Sequence, residues 1–384
     1  MSRRGRLCFY SEYLLPVLVP TGVPFAGGAE TQLAKMARGM RARDFDVSVV
    51  TCDFGQPARI RVDDIDIYRA FRLRSPIPIL RFFHPRLTRA IAALRAADAE
   101  VYYVSGSGMP AGLAFEVARS RRAGFVNHAA SDYDLLRSAP RRSGTRDGWW
   151  YRRAIRGADA RLAQTEFQKQ AFANIFGLES DVLPNLVEIP ERAVDPGQNG
   201  PIVWLGTYKS IKRPEWFTDL ARDLPDQRFV MVGVVPPPPL TQHHWESARA
   251  AARDLPNLEV RGFMDHAQLE SLFRTASLLV HTSPVEGFSN VMLEAWSYGL
   301  PTVSCVDPDD IVKRECLGDA VNEYAELLAA VRRRMSDPAG RAAAGTRARA
   351  YAMGKHAPNV VLDRLAALLD PVVESVRRRR GQGA

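Results

Sequence analysis

Cysteine is scarce in this chain, with four residues among 384. No two of them form the C-x-x-C spacing of a zinc site or a redox motif. Cys8, Cys52 and Cys305 lie within apolar runs, where a free thiol packs as a small hydrophobic side chain. The cysteines therefore indicate neither a disulfide framework nor a zinc site.

Long apolar runs are also missing. No stretch of about 18 apolar residues occurs, so the sequence predicts no membrane-spanning helix. The N-terminus begins with basic residues, as a signal peptide does, but Ser11 and Glu12 fall where its apolar core should lie. No small-residue cleavage site follows, and we expect a cytoplasmic protein.

Acidic residues are outnumbered by basic ones, with 43 Asp and Glu against 52 Lys and Arg, which gives a net charge of +9. Such an excess predicts an anionic partner, which could be a phosphate compound, a nucleic acid or an anionic lipid, and charge alone does not choose among them. With 46% hydrophobic residues, the chain is long enough for two globular domains, each with its own core.

Short β-rich runs alternate with helical patterns in both halves, which predicts βαβ units on parallel sheets. The predicted strands are residues 6–11, 46–51, 100–104, 124–129 and 160–164 in the first half, and 202–205, 228–232, 258–261, 278–281 and 302–305 in the second. The predicted fold class is therefore α/β, with two Rossmann-like, doubly wound domains facing each other across a cleft. Ligands are expected at the carboxyl ends of the strands.

The domain boundary is expected in the polar, turn-rich stretch 191–200, which has no periodicity. This gives an N-terminal domain of residues 1–190, expected to bind the acceptor, and a C-terminal domain of residues 201–356, expected to bind the donor. Residues 357–384 form a helix and a basic tail, and we expect the helix to pack back on the N-terminal domain.

One strand-turn-helix element carries two glutamates, Glu286 and Glu294, with seven residues between them. Ser289 is a good N-cap for the helix, which places Glu294 roughly 7 Å along it. Both carboxylates could therefore meet one ligand across the mouth of the helix. The backbone amides there attract phosphate, while carboxylates accept hydrogen bonds from hydroxyl groups, a combination suited to a nucleotide sugar. The residues that supply these amides are Gly287, Phe288, Ser289 and Asn290.

A second cluster of charge follows the predicted strand at 202–205. Gly206 comes directly after this strand, and Lys209, Lys212 and Arg213 precede the next helix. Cations at the same end of a parallel sheet could neutralise a diphosphate leaving group.

Five motifs, in the expected order and spacing along the chain, resemble those of the retaining glycosyltransferases of family 4, also called group 1, which have the GT-B fold. The resemblance covers residues 6–365. Its motifs are Glu286 and Glu294 with seven residues between them, the strand with Gly206 and Lys212, "RGF" at 261–263, "LPN" at 183–185 and "GGAE" at 27–30.

The resemblance implies a role for each matching residue. Glu294 would bind the ribose hydroxyls of the donor nucleotide, Glu286 would lie beside the transferred sugar, and Lys212 would bind the diphosphate. The donor-contacting backbone would include Gly27, Gly28, Gly206, Gly262, Phe263 and residues 287–290. Thr207 stands where the family usually has an arginine, so we assign part of the diphosphate binding to Lys209.

Two residues of the N-terminal half, His128 and Asp132, are candidates for the acceptor site. Asp132 follows the predicted strand 124–129, where a carboxylate can reach an acceptor hydroxyl. His128 alternates with its strand neighbours, so it is either part of the site or a histidine packed in the core.

The implied activity is transfer of a sugar from a UDP- or GDP-sugar to a hydroxyl of a glycan, a lipid-linked acceptor or a small molecule. Polysaccharide or glycoconjugate biosynthesis at the cell surface is the expected setting. No metal or cofactor is required, and the acidic run "DPDD" at 307–310 is interpreted as a turn. A sugar-nucleotide epimerase on the same fold is the alternative. A glycoside hydrolase is disfavoured, because both glutamates come from one element rather than from opposite sides of a sugar.

A binding module without catalysis is a further alternative. Residues 141–157 interleave arginines with Trp149 and Trp150, which could stack on bases or contact a membrane, although the spacing favours a helix with one packed face. We expect no nucleic-acid partner. The arginines at 377–380 could attract anionic lipid at roughly 1 kcal/mol each, so peripheral contact with the inner face of the membrane is a hypothesis.

Overall fold

The computed structural model describes residues 3–19, 27–73, 86–137, 146–194, 199–234 and 242–381. The chain divides into two compact units. The first unit combines Met1–Leu186 with Pro358–Ala384, and the second is Val187–Ala357. Each unit is an α/β structure on a largely parallel sheet, which is the fold class expected from the sequence.

The sheet of the first unit has eight strands within the described residues, in the order β3-β4-β2-β1-β5-β6-β7-β8. Every neighbouring pair is parallel except β3 with β4. The strands are β1 (Gly5–Tyr10), β2 (Phe45–Thr51), β3 (Arg59–Val62), β4 (Ile65–Arg69), β5 (Val101–Ser105), β6 (Gly124–His128), β7 (Ala160–Ala163) and β8 (Asp181–Val182). The helices are α1 (Leu15–Leu18), α2 (Gly28–Arg41), α3 (Thr88–Ala96), α4 (Met109–Ser120), α5 (Asp132–Arg137), α6 (Arg146–Gly157) and α7 (Glu166–Ala171), with α15 (Pro358–Gly381) from the end of the chain.

The core of the first unit forms because its central strands are apolar on both faces, as strands covered by helices on both sides must be. The apolar stripe of α2 is buried on this sheet, with Leu33, Met36, Ala37 and Met40 no more than 1% exposed. Helix α15 packs against α2, β5 and β6. At Gly39 of α2 an added Cβ would lie 2.2 Å from the side chain of Leu362, so glycine permits this close approach.

The sheet of the second unit has six parallel strands within the described residues, in the order β11-β10-β9-β12-β13-β14. These are β9 (Ile202–Thr207), β10 (Phe229–Val234), β11 (Leu258–Arg261), β12 (Leu278–His281), β13 (Thr302–Ser304) and β14 (Gly318–Ala320). The helices are α8 (Pro214–Asp223), α9 (Gln242–Asp254), α10 (His266–Thr275), α11 (Asn290–Tyr298), α12 (Ile311–Arg314), α13 (Tyr324–Ser336) and α14 (Pro338–His356). Because β9 and β12 are adjacent and parallel, the segments that follow them meet at one edge of the sheet.

Helix α6 contains the aromatic and arginine-rich stretch, of which residues 141–145 lie outside the described chain. Tyr151 is fully buried, and its hydroxyl donates to the Asn127 side chain over 3.2 Å. Trp150 packs so closely on α4 that a Cβ at Gly112 would lie 2.5 Å from its ring. Trp149 is exposed, so α6 has one packed and one solvated face.

The arginine run continues α15 as a helix to Gly381, and residues 382–384 lie outside the described chain. Arg377 pairs with Glu100 at 2.9 Å, and Arg379 pairs with Asp159 at the same distance. Arg380 donates to the carbonyl of Ala99 over 3.1 Å. These arginines therefore hold the end of α15 on the first unit, and lipid could attract them only in competition with these contacts.

Candidate functional site

The turn between β12 and α11 contains four of the residues predicted to contact the donor, from Glu286 to Ser289. Strand β12 is buried in the centre of its sheet and ends at His281. Ser289 begins α11 as its N-cap by accepting a hydrogen bond from the amide of Met292 over 3.4 Å. Gly299 ends the helix in a left-handed conformation, with φ 87°. The helix is fixed by burial of its apolar face, including Met292, Leu293 and Trp296.

Three of the four residues predicted at the helix mouth, Gly287, Phe288 and Ser289, are buried, and Asn290 is half-buried. The Phe288 ring packs edge-on to Trp296 and lies 4.7 Å from the ring of His356 between centroids. Its side chain therefore belongs to the core of the second unit. Only its backbone amide is in a position to donate to a ligand at the N-terminus of α11.

Lys212 ends a short 3-10 turn, Ser210–Lys212, which follows β9. The hydroxyl of Thr282, just past β12, donates to the carbonyl of Lys212 and accepts from the indole nitrogen of Trp204 over 2.8 Å. The hydroxyl of Ser283 lies 3.4 Å from the carbonyl of Ile211. These hydroxyls join the turn after β9 to the end of β12.

Glu286 and Lys212 form an ion pair through Oε1 and Nζ, and both side chains are largely buried. Oε1 of Glu286 also lies 3.5 Å from Nε2 of His281. Burial alone would raise the pKa of Glu286, but the hydrogen bond with His281 and the positive charge of Lys212 outweigh it and lower this pKa to about 2. Glu286 is therefore an anion at neutral pH, and it is already paired.

His281 also lies at this site, although it was not predicted from the sequence. Its imidazole is 5% exposed, and Nε2 lies 3.1 Å from Oγ of Ser289 while Nδ1 lies 3.5 Å from Oγ of Ser304. Strand β12 is otherwise apolar, and a histidine at the carboxyl end of such a strand was the signal that could have identified it.

Glu294 differs from Glu286 in its surroundings. Its side chain is half-buried on α11, and within the described part of the chain it forms no hydrogen bond or ion pair. The hydroxyl of Ser297 donates to its backbone carbonyl over 2.7 Å, which leaves the carboxylate itself able to accept from a ligand.

Four further residues predicted for the donor lie at the carboxyl ends of β9 and β11. Gly206 is packed tightly, since a Cβ there would lie 2.9 Å from the ring of Trp204. At Gly262 an added Cβ would meet nothing within 4 Å, so this glycine borders open space. Phe263 is 53% exposed and Lys209 is exposed, so both side chains are accessible.

In the first unit, Gly27 is the N-cap of α2 and Gly28 is its first residue. The hydroxyl of Thr31 donates to the carbonyl of Gly27 over 3.0 Å, which fixes the start of the helix. Residues 20–26, which precede this loop, lie outside the described chain. Both glycines thus lie at a helix N-terminus, where backbone amides can face an anion.

His128 lies in the core of the first unit, with 2% of its surface exposed and Nδ1 2.7 Å from the Tyr103 hydroxyl. Burial disfavours the imidazolium, so its pKa is lowered from 6.5 to about 4. This placement favours a packed core histidine over a group that faces the acceptor. Its predicted catalytic role remains a prediction.

Asp132 is the first residue of α5, and Oδ1 accepts a hydrogen bond from Nε2 of Gln168 over 3.0 Å. Nearby, Asp134 accepts from the Ser107 hydroxyl over 2.7 Å and from the amides of Ala130 and Ser131. Burial raises the pKa of Asp134. Asp134 therefore fixes the loop after β6, while Asp132 is half-buried at the carboxyl end of the sheet, where it was predicted to meet an acceptor.

The acidic run at 307–310 forms a turn, with Pro308–Asp310 in a 3-10 helix. Asp307 accepts from the amide of Val312 over 2.7 Å and from that of Lys313 over 3.3 Å, so it caps α12. Across the described ranges, no group of three or more His, Cys, Asp and Glu side chains is placed to hold a metal ion. The four cysteines are free thiols.

Among the described helices, none combines the length and the apolar character needed to cross a bilayer.

Two family models match the chain. The model described as Glycosyltransferase Family 4 matches residues 26–190, and the model described as Glycosyl transferases group 1 matches residues 200–337. None of the curated proteins compared with this chain matches it in sequence.

Solved structures share the fold over nearly the whole chain. Sucrose-phosphate synthase from Thermosynechococcus elongatus is 16% identical, with a TM-score of 0.76 over 96% of this chain and 99% of that one. Anabaena HepE in complex with UDP and glucose is 18% identical, with a TM-score of 0.72 over 96% and 100%. The trehalose 6-phosphate synthase of Burkholderia multivorans is 13% identical, with a TM-score of 0.65 over 99% and 98%.

Proposed function

This chain belongs to the glycosyltransferases of family 4, group 1, which have the GT-B fold, and we propose that it transfers a sugar from a nucleotide-diphosphate sugar to an acceptor hydroxyl with retention of configuration. The observation that carries the proposal is the cluster at the carboxyl ends of β9 and β12. There a lysine, a glutamate and a helix N-terminus meet within one unit, and a second glutamate on that helix has no partner within the described residues.

In the proposed reaction, the bond between the anomeric carbon and the diphosphate oxygen breaks as a bond to the acceptor oxygen forms on the same face. The transition state resembles an oxocarbenium ion. Lys212 and the N-terminus of α11 stabilise the negative charge that develops on the leaving diphosphate. An oxygen of that diphosphate takes the acceptor proton. Because lysine and helix dipole provide this stabilisation, the scheme needs no metal.

The two glutamates are proposed to bind different parts of the donor. Glu294 is proposed to accept hydrogen bonds from the ribose hydroxyls, which its unpaired carboxylate supports. Glu286 is proposed to lie beside the transferred sugar. Its low pKa keeps it in the anionic form that accepts hydroxyl hydrogens and stabilises positive charge at the anomeric carbon.

The ion pair between Lys212 and Glu286 has a consequence for donor binding. In the unliganded protein the ammonium is neutralised by the carboxylate, so a diphosphate must compete with Glu286 for Lys212. A diphosphate offers more negative charge and more acceptor oxygens than one carboxylate does, which favours this exchange. Lys209 and the hydroxyl of Thr207 are proposed to assist in place of the usual arginine.

A uridine or guanosine diphosphate sugar is the proposed donor. HepE, whose structure contains UDP and glucose, supports uridine by its similar fold. The open space beside Gly262 and the exposed ring of Phe263 are consistent with a base at this edge of the second unit. The proposed acceptor is a glycan, a lipid-linked sugar or a small molecule of cell-surface biosynthesis, handled in the cytoplasm or on the inner face of the membrane.

A sugar-nucleotide epimerase is the second candidate, because it would use the same diphosphate site and the same Lys212. Product analysis separates the two reactions. Epimerisation needs no acceptor and leaves the nucleotide attached to the sugar, whereas transfer releases the free nucleotide.

Thermal unfolding in the presence of UDP, GDP and UDP-glucose tests the donor site. A nucleotide at 100 times its dissociation constant stabilises the folded protein by about 2.7 kcal/mol. For a unit of this size, that raises the Tm by roughly 5 to 10 °C. The Glu294→Gln variant, which keeps the shape but loses a charged ribose acceptor, should show a smaller shift. If no nucleotide shifts the wild-type Tm, the proposed donor site does not exist.

A further inference from the structure

His281 shares the carboxylate of Glu286 with Lys212. Its Nε2 lies 3.5 Å from Oε1 of Glu286, the same oxygen that contacts the ammonium. The two partners come from different elements, because Lys212 follows β9 whereas His281 ends β12. Glu286 therefore has one partner on an accessible turn and one that is almost completely buried.

The imidazole is held at both nitrogens. Nε2 lies 3.1 Å from the hydroxyl of Ser289, the N-cap of α11, and Nδ1 lies 3.5 Å from that of Ser304 on β13. The Ser304 hydroxyl is itself held by the carbonyl of Val306, 2.7 Å away. A side chain packed between a helix N-cap and a neighbouring strand cannot move with a ligand as Lys212 can.

This difference matters once a diphosphate competes for the lysine. Glu286 is largely buried, and a buried carboxylate that loses its charge partner is strongly destabilised. Without a second partner, it would follow Lys212 or turn toward solvent. Either movement would take its oxygens away from the transferred sugar.

We propose that His281 is a positioning residue, which holds the Glu286 carboxylate in place when a diphosphate draws Lys212 away from it. A proton on Nε2 is shared between Glu286 and Ser289, so the carboxylate keeps a hydrogen-bond donor throughout the exchange. This inference rests on the proposed function, because it assigns the exchange to a donor diphosphate. The contact geometry that it uses is present without any ligand.

A double-mutant cycle tests the shared carboxylate without a substrate. His281→Leu should lower the Tm by about 3 °C more in a Lys212→Met background than in the wild type, because only the double variant leaves Glu286 without a partner. When the same cycle is repeated in a protein that also carries Glu286→Gln, His281→Leu should no longer lower the Tm more in the Lys212→Met background. Additive losses in the first cycle would show that His281 does not hold Glu286.

The conservative variant separates positioning from packing. Glutamine places an amide donor near the position of Nε2 but cannot carry a charge, so His281→Gln should recover most of the Tm lost by His281→Leu in the Lys212→Met background. If the two variants are equally destabilised, the contribution of His281 is packing alone and the inference is wrong.

Inorganic pyrophosphate tests the exchange itself. Saturating pyrophosphate should raise the Tm of the wild type by about 3 °C more than that of His281→Leu, since only the wild type keeps Glu286 paired after the lysine leaves. Equal shifts in the two proteins would overturn the inference. If pyrophosphate shifts neither protein while the double-mutant cycle shows coupling, the proposed diphosphate site fails but the contact between His281 and Glu286 stands.

Discussion

Glu286 and Glu294 have the same side chain, and their surroundings give them different properties. Glu286 is paired with Lys212 and His281, which lowers its pKa to about 2. Glu294 has no such partner within the described residues and is half-buried on the first turns of α11. A paired carboxylate is fixed in place, whereas an unpaired one keeps its lone pairs for a ligand. This difference matches the separate duties proposed for the two residues.

The buried His128 should make the free energy of unfolding depend on pH. Its pKa is about 4 in the folded protein and near 6.5 when the chain is unfolded, so between these values the unfolded state binds a proton that the folded state does not. The free energy of unfolding therefore falls as the pH drops through this window, by about 2 kcal/mol between pH 7 and pH 5. Urea unfolding at the two pH values measures this loss.

The matched variants for this measurement are His128→Gln and His266→Gln. The first should be destabilised at pH 7 but should lose about 2 kcal/mol less than the wild type on going to pH 5. The second replaces an exposed imidazole and should keep the wild-type dependence. An unchanged dependence in His128→Gln would show that this histidine is not held neutral by the fold. The loss due to Glu286 falls in a separate window, between its usual 4.5 and about 2.

At the scale of elements, the sequence predicted the strands that carry an apolar run. Strands β11 and β12 have the predicted bounds, and the others that were predicted end within two residues of them. The bounds of α11 were also predicted, because the helix begins and ends at local signals, the N-cap Ser289 and the left-handed Gly299. Burial and capping can both be recognised in a single sequence.

The strands that were missed lack this signal. Strands β3 and β4 form a hairpin in which β3 alternates exposed arginines with half-buried residues, so no apolar run marks it. The turn between them is Asp63 and Asp64, both at positive φ, a pair that is less distinctive than Asn-Gly. Strands β8 and β14 have two and three residues, too few for any periodicity.

The sequence proposed residues for the candidate site but not the contacts among them. The sequence identified Glu286 and Lys212, yet it could not show that they neutralise each other, because 73 residues separate them along the chain. His281 and Thr282 were missed for the same reason, since each acts on a residue from another element. Long-range pairing of side chains is set by the order of strands in the sheet, which the sequence alone did not give.

Thr282 allows a test of how one element positions another. Its hydroxyl accepts from the buried indole of Trp204 and donates to the carbonyl of Lys212. Thr282→Val keeps the shape but leaves the indole donor unsatisfied, which should cost about 1 to 3 kcal/mol of stability. It also releases the turn that carries Lys212, so the affinity for UDP should fall about tenfold, measured by calorimetric titration.

Thr302 provides the control for this variant. Its hydroxyl accepts from the buried indole of Trp296 over 2.8 Å, the same contact in the same unit, but it does not touch the turn at 210–212. Thr302→Val should therefore lose similar stability and keep the wild-type affinity for UDP. Equal losses of affinity in the two variants would show that the effect is general destabilisation.

At the scale of the whole molecule, the last helix belongs to the first unit although the second unit lies between them in sequence. Helix α15 buries Leu362, Leu365 and Leu369 among its apolar residues. Its final turns add the ion pairs of Arg377 with Glu100 and of Arg379 with Asp159. The basic end of the chain thus has a structural explanation that requires no lipid.

The two interpretations of the arginines differ in a measurable way. Because the ion pairs are partly exposed, each contributes no more than about 1 kcal/mol, so replacing Arg377 and Arg379 together with alanine should lower the Tm of the first unit by about 2 to 5 °C. Arg378→Ala is the matched control, since its guanidinium is mostly exposed and lies 4.0 Å from Glu374. This variant should leave the Tm within about 2 °C of the wild type.

Co-sedimentation with vesicles rich in anionic lipid completes the comparison. If the arginines serve mainly to hold α15, the wild type and the double variant should sediment alike at low and at high salt. Salt-sensitive binding that the double variant loses, together with an unchanged Tm, would instead assign these arginines to a membrane surface. The two measurements thus separate the interpretations. Arginines that hold α15 on the first unit change only the Tm when they are replaced, whereas arginines that contact lipid change only the fraction bound to vesicles.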